Sequence, residues 1–291
     1  MSDPVVIDAR LVVRLLASQL PHLAGLPVRP VDRQGHDNRT FRLGDELVVR
    51  LPSAAGYEAA VPLEDRWLPV LAASLPVPVP EPVAVGAPDD AYPFAWSVRR
   101  WVPGESVDLA PIPALALAEG VGAFLVELHR IPALDGPASG ERTFHRGAHP
   151  AIYDDDVRRS LDVLHGVRER AGALAIWEDA VATRWHRDPV WVHGDVAAGN
   201  LLGIDDRLSG VIDFGQLGVG DPACDLVLAW TALDAPARRV LRDIVALDDD
   251  TWRRARGWAV WKSLVTLADG RSAPEQRAIQ ARALDAVLAD A

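Results

Sequence analysis

The sequence predicts an α+β fold in which a small antiparallel sheet with one helix precedes a mainly helical C-terminal part. Three observations predict it. Short β-rich runs crowd the first hundred residues, helical periodicities dominate after the dipeptide Pro103-Gly104, and one polar block, 190–225, interrupts those helices with apolar runs of strand length. A chain of 291 residues with 49% hydrophobic content is long enough for two parts with separate cores. The boundary is therefore placed at Pro103-Gly104, giving an N-terminal part over 1–102 and a C-terminal part over 103–291.

In chain order, residues 8–20 carry Leu11, Leu15, Leu16 and Leu20 at the recurrence of one helical face, with Asp8 as N-cap and Pro21 as stop. The period then changes. Runs 28–33, 39–43 and 46–51 are short and β-rich, and they are separated by the turn-rich stretches 34–38 and 44–45, which describes an antiparallel meander. A second helix is expected over 57–75, carrying Leu63, Trp67, Leu68 and Leu71, begun late at Pro62 and kinked at Pro69. Pro76, Pro78, Pro80 and Pro82 forbid regular helix and predict a stiff, extended connection. Residues 94–102 read as a further strand. Beyond it, Leu117, Val121, Phe124, Leu125 and Leu128 fall on one helical face, and helical patterns recur over 150–170, 171–184 and 251–269. Between them, 131–147 is rich in Gly, Pro and Ser and reads as a long surface loop.

Composition narrows the function. The formal net charge of −11 argues against a nucleic-acid binder, which needs a basic stripe to neutralise phosphates. No apolar run approaches the length that spans a bilayer, and the opening residues lack the basic and apolar regions of a signal peptide, so a cytoplasmic protein with no membrane partner is expected. A monomer or weak dimer is the expected state. The one cysteine, Cys224, cannot form an intrachain disulfide and is expected to be a small buried apolar residue. Lys262 is the only lysine, so no lysine in the first 261 residues is available to bind phosphate.

The chemistry is concentrated in VWVHGDVAAGNLLGIDDRLSGVIDFGQLGVGDPACD, residues 190–225. A loop followed by a short hairpin, turning at 205–207, would project Asp195, Asn200 and Asp213 towards one point. A carboxylate five residues before an amide, and a second carboxylate thirteen residues later, are hard oxygen donors of the kind that magnesium prefers while it keeps water and phosphate ligands. Phosphoryl transfer asks for little more than an oxygen base, such a metal and positive charge on the phosphates.

HGDxxxxN followed by IDFG and GDPxxD resembles the catalytic core of the aminoglycoside phosphotransferase family, a branch of the protein-kinase-like two-lobed fold that also includes macrolide and choline kinases. The resemblance implies Asp195 as the catalytic base and His193 as the residue that shapes its loop. It implies Asn200 and Asp213 as ligands of Mg2+, with ATP or GTP as phosphate donor. Asp221 and Asp225, in GDPACD, resemble the family's closing motif, and each would have a structural or a substrate-contact role. In this fold a third-strand cation binds the α/β-phosphates and pairs with a helix carboxylate, which here means Arg50 and Glu64. An arginine in the lysine's place departs from the usual kinase pattern, and it would grip phosphate as a fork. Gly35 and Asn38 would lie in the phosphate-covering loop, and 98–102, including Arg100 and Val102, would be the hinge against the purine.

The implied partner is a small molecule bearing a hydroxyl. An acidic lining from Asp154, Asp155, Asp156, Glu178 and Asp179 would suit an aminoglycoside. An aromatic groove from tryptophans such as Trp230 and Trp258 would suit a macrolide. A sugar or amino alcohol as metabolite acceptor, and a nucleotide-binding pseudokinase without turnover, stay open as alternatives. A hydrolase using the same aspartates lacks a nucleophile elbow.

Overall fold

The computed structural model describes residues 6–133, 135–164 and 170–290. It divides into two units, one of residues up to Ser74 with Pro78–Pro103 and Val211–Gly215, the other of Leu75–Val77, Gly104–Gly210 and the chain from Gln216 onward.

The first unit opens with helix α1 (Ala9–Gln19), started where the Asp8 carboxylate accepts from the Leu11 N–H. Five antiparallel strands follow: β1 (Val28–Pro30), β2 (Asn38–Leu43), β3 (Leu47–Pro52), β4 (Pro82–Gly86) and β5 (Trp96–Arg100), in the order β1-β2-β3-β5-β4. The first expected strand is shorter than 28–33, and β4 lies where a stiff connection was expected. Proline is tolerated there because β4 is an edge strand entered at Pro82, whose pairing slips between Pro82 and Ala84. Gly86 is required at its end, since a Cβ there would fall 1.9 Å from the Trp96 indole. Leu11, Val12, Leu15 and Leu16 of α1 share one buried cluster with Phe41, Leu43, Val49, Leu51, Trp96 and Val98 of the sheet.

The helix expected over 57–75 is two, α2 (Ala55–Glu58) and α3 (Ala60–Ala72). Pro69 lies inside α3 on its exposed side. The buried stripe of α3 is Val61, Glu64, Trp67, Leu68 and Leu71, so a glutamate occupies the middle of an apolar face.

In the second unit, β6 (Glu105–Ser106) pairs with the hairpin of β8 (Leu201–Ile204) and β9 (Arg207–Val211). Asp205 and Asp206 turn that hairpin, both at positive φ, as a two-residue connection demands. β7 (Val190–Val192) pairs antiparallel with β10 (Gly218–Gly220). Helix α4 (Ala114–Arg130) buries the five apolar residues its period marked. The pattern expected over 150–170 is a 3-10 turn, Pro150–Tyr153, followed by helix α5 (Asp154–Val163), with residues 165–169 outside the described residues, and the pattern over 171–184 is helix α6 (Arg170–Ala182). They are followed by α7 (Leu228–Thr231), α8 (Ala235–Val245), α9 (Asp249–Ala268) and α10 (Pro274–Ala289).

Helix α9 is central. It packs on α5, α6, α10 and the 3-10 turn Pro222–Val227, and it buries Trp252, Arg254, Trp258, Val260 and Leu264. The segment 131–147, whose Leu134 lies outside the described residues, is not a free surface loop. Ser139 N–H donates to the Val219 carbonyl and Val219 N–H to that of Pro137, which stitches the segment to β10 and fixes where it delivers Arg146.

Candidate active site

In the first unit the polar site is built by strand alternation. Val49 and Val98 face one another across β3 and β5 on the core side, so Arg50 and Ser97, paired in register, fall on the opposite face together with Arg99. That face meets Glu64. The Glu64 carboxylate, 3% exposed, lies 3.3 Å from Arg50 and 3.0 Å from Arg99, and Arg50 also reaches the Asp213 carboxylate at 2.8 Å. Two arginines and two carboxylates thus compensate one another where single charges would be very costly. Burial alone lowers the affinity of Arg50 for its proton, but Glu64 and Asp213 outweigh it, and the guanidinium holds its proton more tightly than usual. Burial dominates at Arg99, whose pKa falls from its ordinary value, with Glu64 opposing. Sequence reasoning missed Arg99. The available signal was the period of β5, which sends Trp96 and Val98 to the core and so Ser97 and Arg99 to the other face.

Arg100 is exposed, its N–H donating to the Glu81 carbonyl, whereas Val102 is buried. Gly35 is exposed and its carbonyl accepts from Arg39, while Asn38 opens β2 opposite Pro52. Gln34 closes the loop by bonding both backbone groups of Thr40. Asp213 adopts φ 67°, a left-handed conformation that aspartate tolerates better than most residues.

The second unit holds the other residues. Between β7 and β8 the chain turns over a buried carboxylate: Asp225 accepts from His193 N–H at 2.8 Å and Gly194 N–H at 2.7 Å. Gly194 sits at φ 86°, and a Cβ there would lie 2.5 Å from the Gln216 carbonyl oxygen, so only glycine fits without displacement. His193 is fully buried edge-on to Phe124, and its Nδ1 accepts from the Asp195 N–H. Both oxygens of Asp225 are thus engaged by the loop, which they hold in shape.

Asp195 emerges from this frame. Asn200 donates from Nδ2 to the Asp195 carbonyl at 3.0 Å and to its carboxylate at 3.2 Å, which leaves the Asn200 amide oxygen free to face a cation. The other carboxylate oxygen of Asp195 lies 3.1 Å from Lys262 Nζ on α9. Burial pushes the Asp195 pKa up, but the Lys262 ammonium, by charge and hydrogen bond, with His193 and Arg146, leaves it below the ordinary value. The chain's lone lysine therefore touches the expected base, a role that its sequence position in a helical run did not announce.

Asp195, Lys262, Arg146, Trp258, Trp261 and Cys224 line one small recess. Arg146 is clamped there, with Nε donating to Gln216 and its guanidinium over the rings of Trp258 and Trp261 at 5.1 and 4.7 Å. Tyr153 stacks on Trp261 at 4.2 Å. Burial and the neighbouring Asp225 raise the Cys224 thiol pKa well above its ordinary value, so it is an inert core group. Trp230 is elsewhere: it lines a separate recess of about 190 Å³ with Trp252, Arg242 and Asp249, and its Nε1 donates to Asp290. Asp221 is bound to Arg254 at 2.6 Å, and both are buried.

No cluster of three or more His, Cys, Asp or Glu side chains able to hold a metal occurs among the described residues. Asn200, in the second unit, and Asp213, in the first, each carry an oxygen of the hard kind that magnesium accepts beside phosphate and water. No helix among the described residues is long and apolar enough to cross a membrane.

The family model described as "Phosphotransferase enzyme family" matches residues 28–258. An aminoglycoside 3'-phosphotransferase of Escherichia coli is 27% identical over 162 residues, which are 51% of this chain and 55% of that protein. The chain spans about half the length of the curated relatives it matches. Among solved structures, the GDP complex of aminoglycoside 2'-phosphotransferase-IIIa superposes with a TM-score of 0.77 at 18% identity, covering 98% of this chain and 99% of that one. A macrolide 2'-phosphotransferase from Brachybacterium faecium gives 0.64 at 21% identity, covering 96% and 98%. At these identities the likeness establishes the fold, the kinase-like α+β architecture that the sequence predicts.

Proposed function

Since the chain belongs to the phosphotransferase enzyme family, we propose that it moves the γ-phosphate of ATP or GTP to a hydroxyl of a small molecule. The observation that carries this reading is Asp195: a carboxylate held below its ordinary pKa, fixed by Asn200 and Lys262 at the tip of a loop built over Asp225. Such a carboxylate is ionised at neutral pH and oriented to accept a hydrogen bond from an attacking hydroxyl. Being a weak base, it positions the nucleophile and takes the proton late, which suits a loose phosphoryl-transfer transition state.

Arg50, prepared by Glu64 and Asp213, presents a fixed guanidinium for the α/β-phosphates. Asn200 and Asp213 would be the residues that hold magnesium, and the metal would supply positive charge to offset that of the phosphates. The names of the relatives put hydroxylated antibiotics first among the acceptors to try, with metabolites beside them. We place the reaction in the cytoplasm, where nucleoside triphosphate and magnesium are available.

A nucleoside-diphosphate release assay over such acceptors tests the reading. Turnover should stop on chelation with EDTA and return with added magnesium. Turnover that ignores the metal would reject the assignment.

A further inference from the structure

The acceptor side of Asp195 is rich in donors and cations. Lys262 and Arg146 line the recess with a single carboxylate, that of Asp195. Arg146 Nη1 is buried with no hydrogen-bond partner among the described residues, and so are the Nε1 atoms of Trp258 and Trp261. Buried donors of this kind are costly until an acceptor completes them. The rings that flank Arg146 hold the guanidinium in place and add no negative charge.

Three of the five carboxylates expected to form an acidic lining have cationic partners of their own, and none of the five lines this recess. Asp154 accepts from Arg158 at 2.7 Å and from Trp177 Nε1 at 2.8 Å, Asp156 pairs with Arg159, and Asp179 lies 3.6 Å from Arg253. Asp221 and Asp225 are buried and bonded. An amino sugar whose reacting hydroxyl approached Asp195 would meet Lys262 and Arg146 as like charges.

We propose that Arg146 and Lys262 form an oxyanion-holding pair beside Asp195, so that the acceptor is a hydroxylated molecule carrying a carboxylate or phosphate, and not a polycationic amino sugar. This rests on the phosphotransferase reading for Asp195. Lys262 then has two tasks, to fix the Asp195 carboxylate by its hydrogen bond and to hold the acceptor's negative group. Arg146 supplies the fork that a carboxylate or phosphate matches. The same cations would also suit the terminal phosphate of the donor, and the experiment separates the two sources.

Calorimetric titration at low salt would use D-gluconate, glucose 6-phosphate, neutral D-glucose and kanamycin, each with and without a non-hydrolysable Mg-nucleotide analogue. At least one anionic probe should bind roughly tenfold or more tightly than glucose, as is usual for charge-assisted hydrogen bonds. It should bind equally with the analogue present, and weaken on raising ionic strength. Arg146→Gln and Lys262→Gln should each remove roughly that tenfold advantage; Arg146→Lys, which keeps charge but loses the fork, serves if the glutamine variant melts early. Kanamycin as the tightest ligand, competition between the anions and the analogue, or no preference for anions would overturn the proposal. Binding needs no turnover. An anion that binds as expected but never yields nucleoside diphosphate would count against the phosphotransferase reading alone, whereas turnover of kanamycin would keep that reading and end this one.

Discussion

At Asp195 two opposing effects meet: burial favours the neutral acid, and Lys262 favours the carboxylate and prevails. Lys262→Met should therefore move the acid limb of kcat/KM upward in pH, because burial is then less opposed. The sign for stability follows by linkage. A carboxylate whose folded pKa lies below its ordinary 3.8 contributes stability that is present above that value and lost as pH falls through the folded pKa. The melting-temperature gap between wild type and Lys262→Met should accordingly be widest near neutrality and close as pH drops below about 3.8. An unmoved acid limb would show that the ammonium does not set the charge of Asp195. At this scale the HGDxxxxN block, through the family resemblance, singled out His193, Asp195 and Asn200, which the loop brings into contact. Arg99, Arg146 and Lys262 were not legible, because a charged residue in a strand, loop or helix reads as solvated until the fold buries it.

Among the elements, α9 does most to hold the second unit together, and its tie to the GDPACD turn is the Arg254–Asp221 pair. Asp221→Ala leaves a fully buried guanidinium without its carboxylate, and removal of one partner of such a pair costs about 3–5 kcal/mol. Denaturant unfolding should show that loss, and Arg254→Met in the same chain should recover part of it, since the uncompensated charge is then gone. A fall well under 1 kcal/mol would mean that the pair is not what anchors the turn. Helices α1, α4 and α9 were legible from their periodicity. Strand β4 was hidden by its prolines, which exclude helix but are compatible with an edge strand, and α8 and α10 went unmarked although Asp234 caps one and Pro274 opens the other.

Over the whole molecule the α+β class and the phosphotransferase-family resemblance were readable from the sequence, because local periodicity and one dense motif agree with the fold. Asp213, read with Asp195 and Asn200 from a single block, belongs instead to the unit that holds Arg50 and Glu64. Nucleotide binding tests that unit. A ligand at a hundred times its Kd adds about 2.7 kcal/mol of stability, so Mg-ATP or Mg-GTP should raise Tm by several degrees. Arg50→Ala should abolish that rise while folding, because Glu64 keeps Arg99 as its partner. The most direct test of phosphoryl transfer follows the γ-phosphate itself, labelled in ATP or GTP and incubated with a mixed pool of hydroxylated metabolites and antibiotics. Wild-type protein should move label onto a small molecule, and Asp195→Asn should slow that transfer by roughly a hundredfold or more with nucleotide-induced stabilisation unchanged. Equal transfer by the two proteins, or label that stays in nucleotide and free phosphate with both, would contradict it.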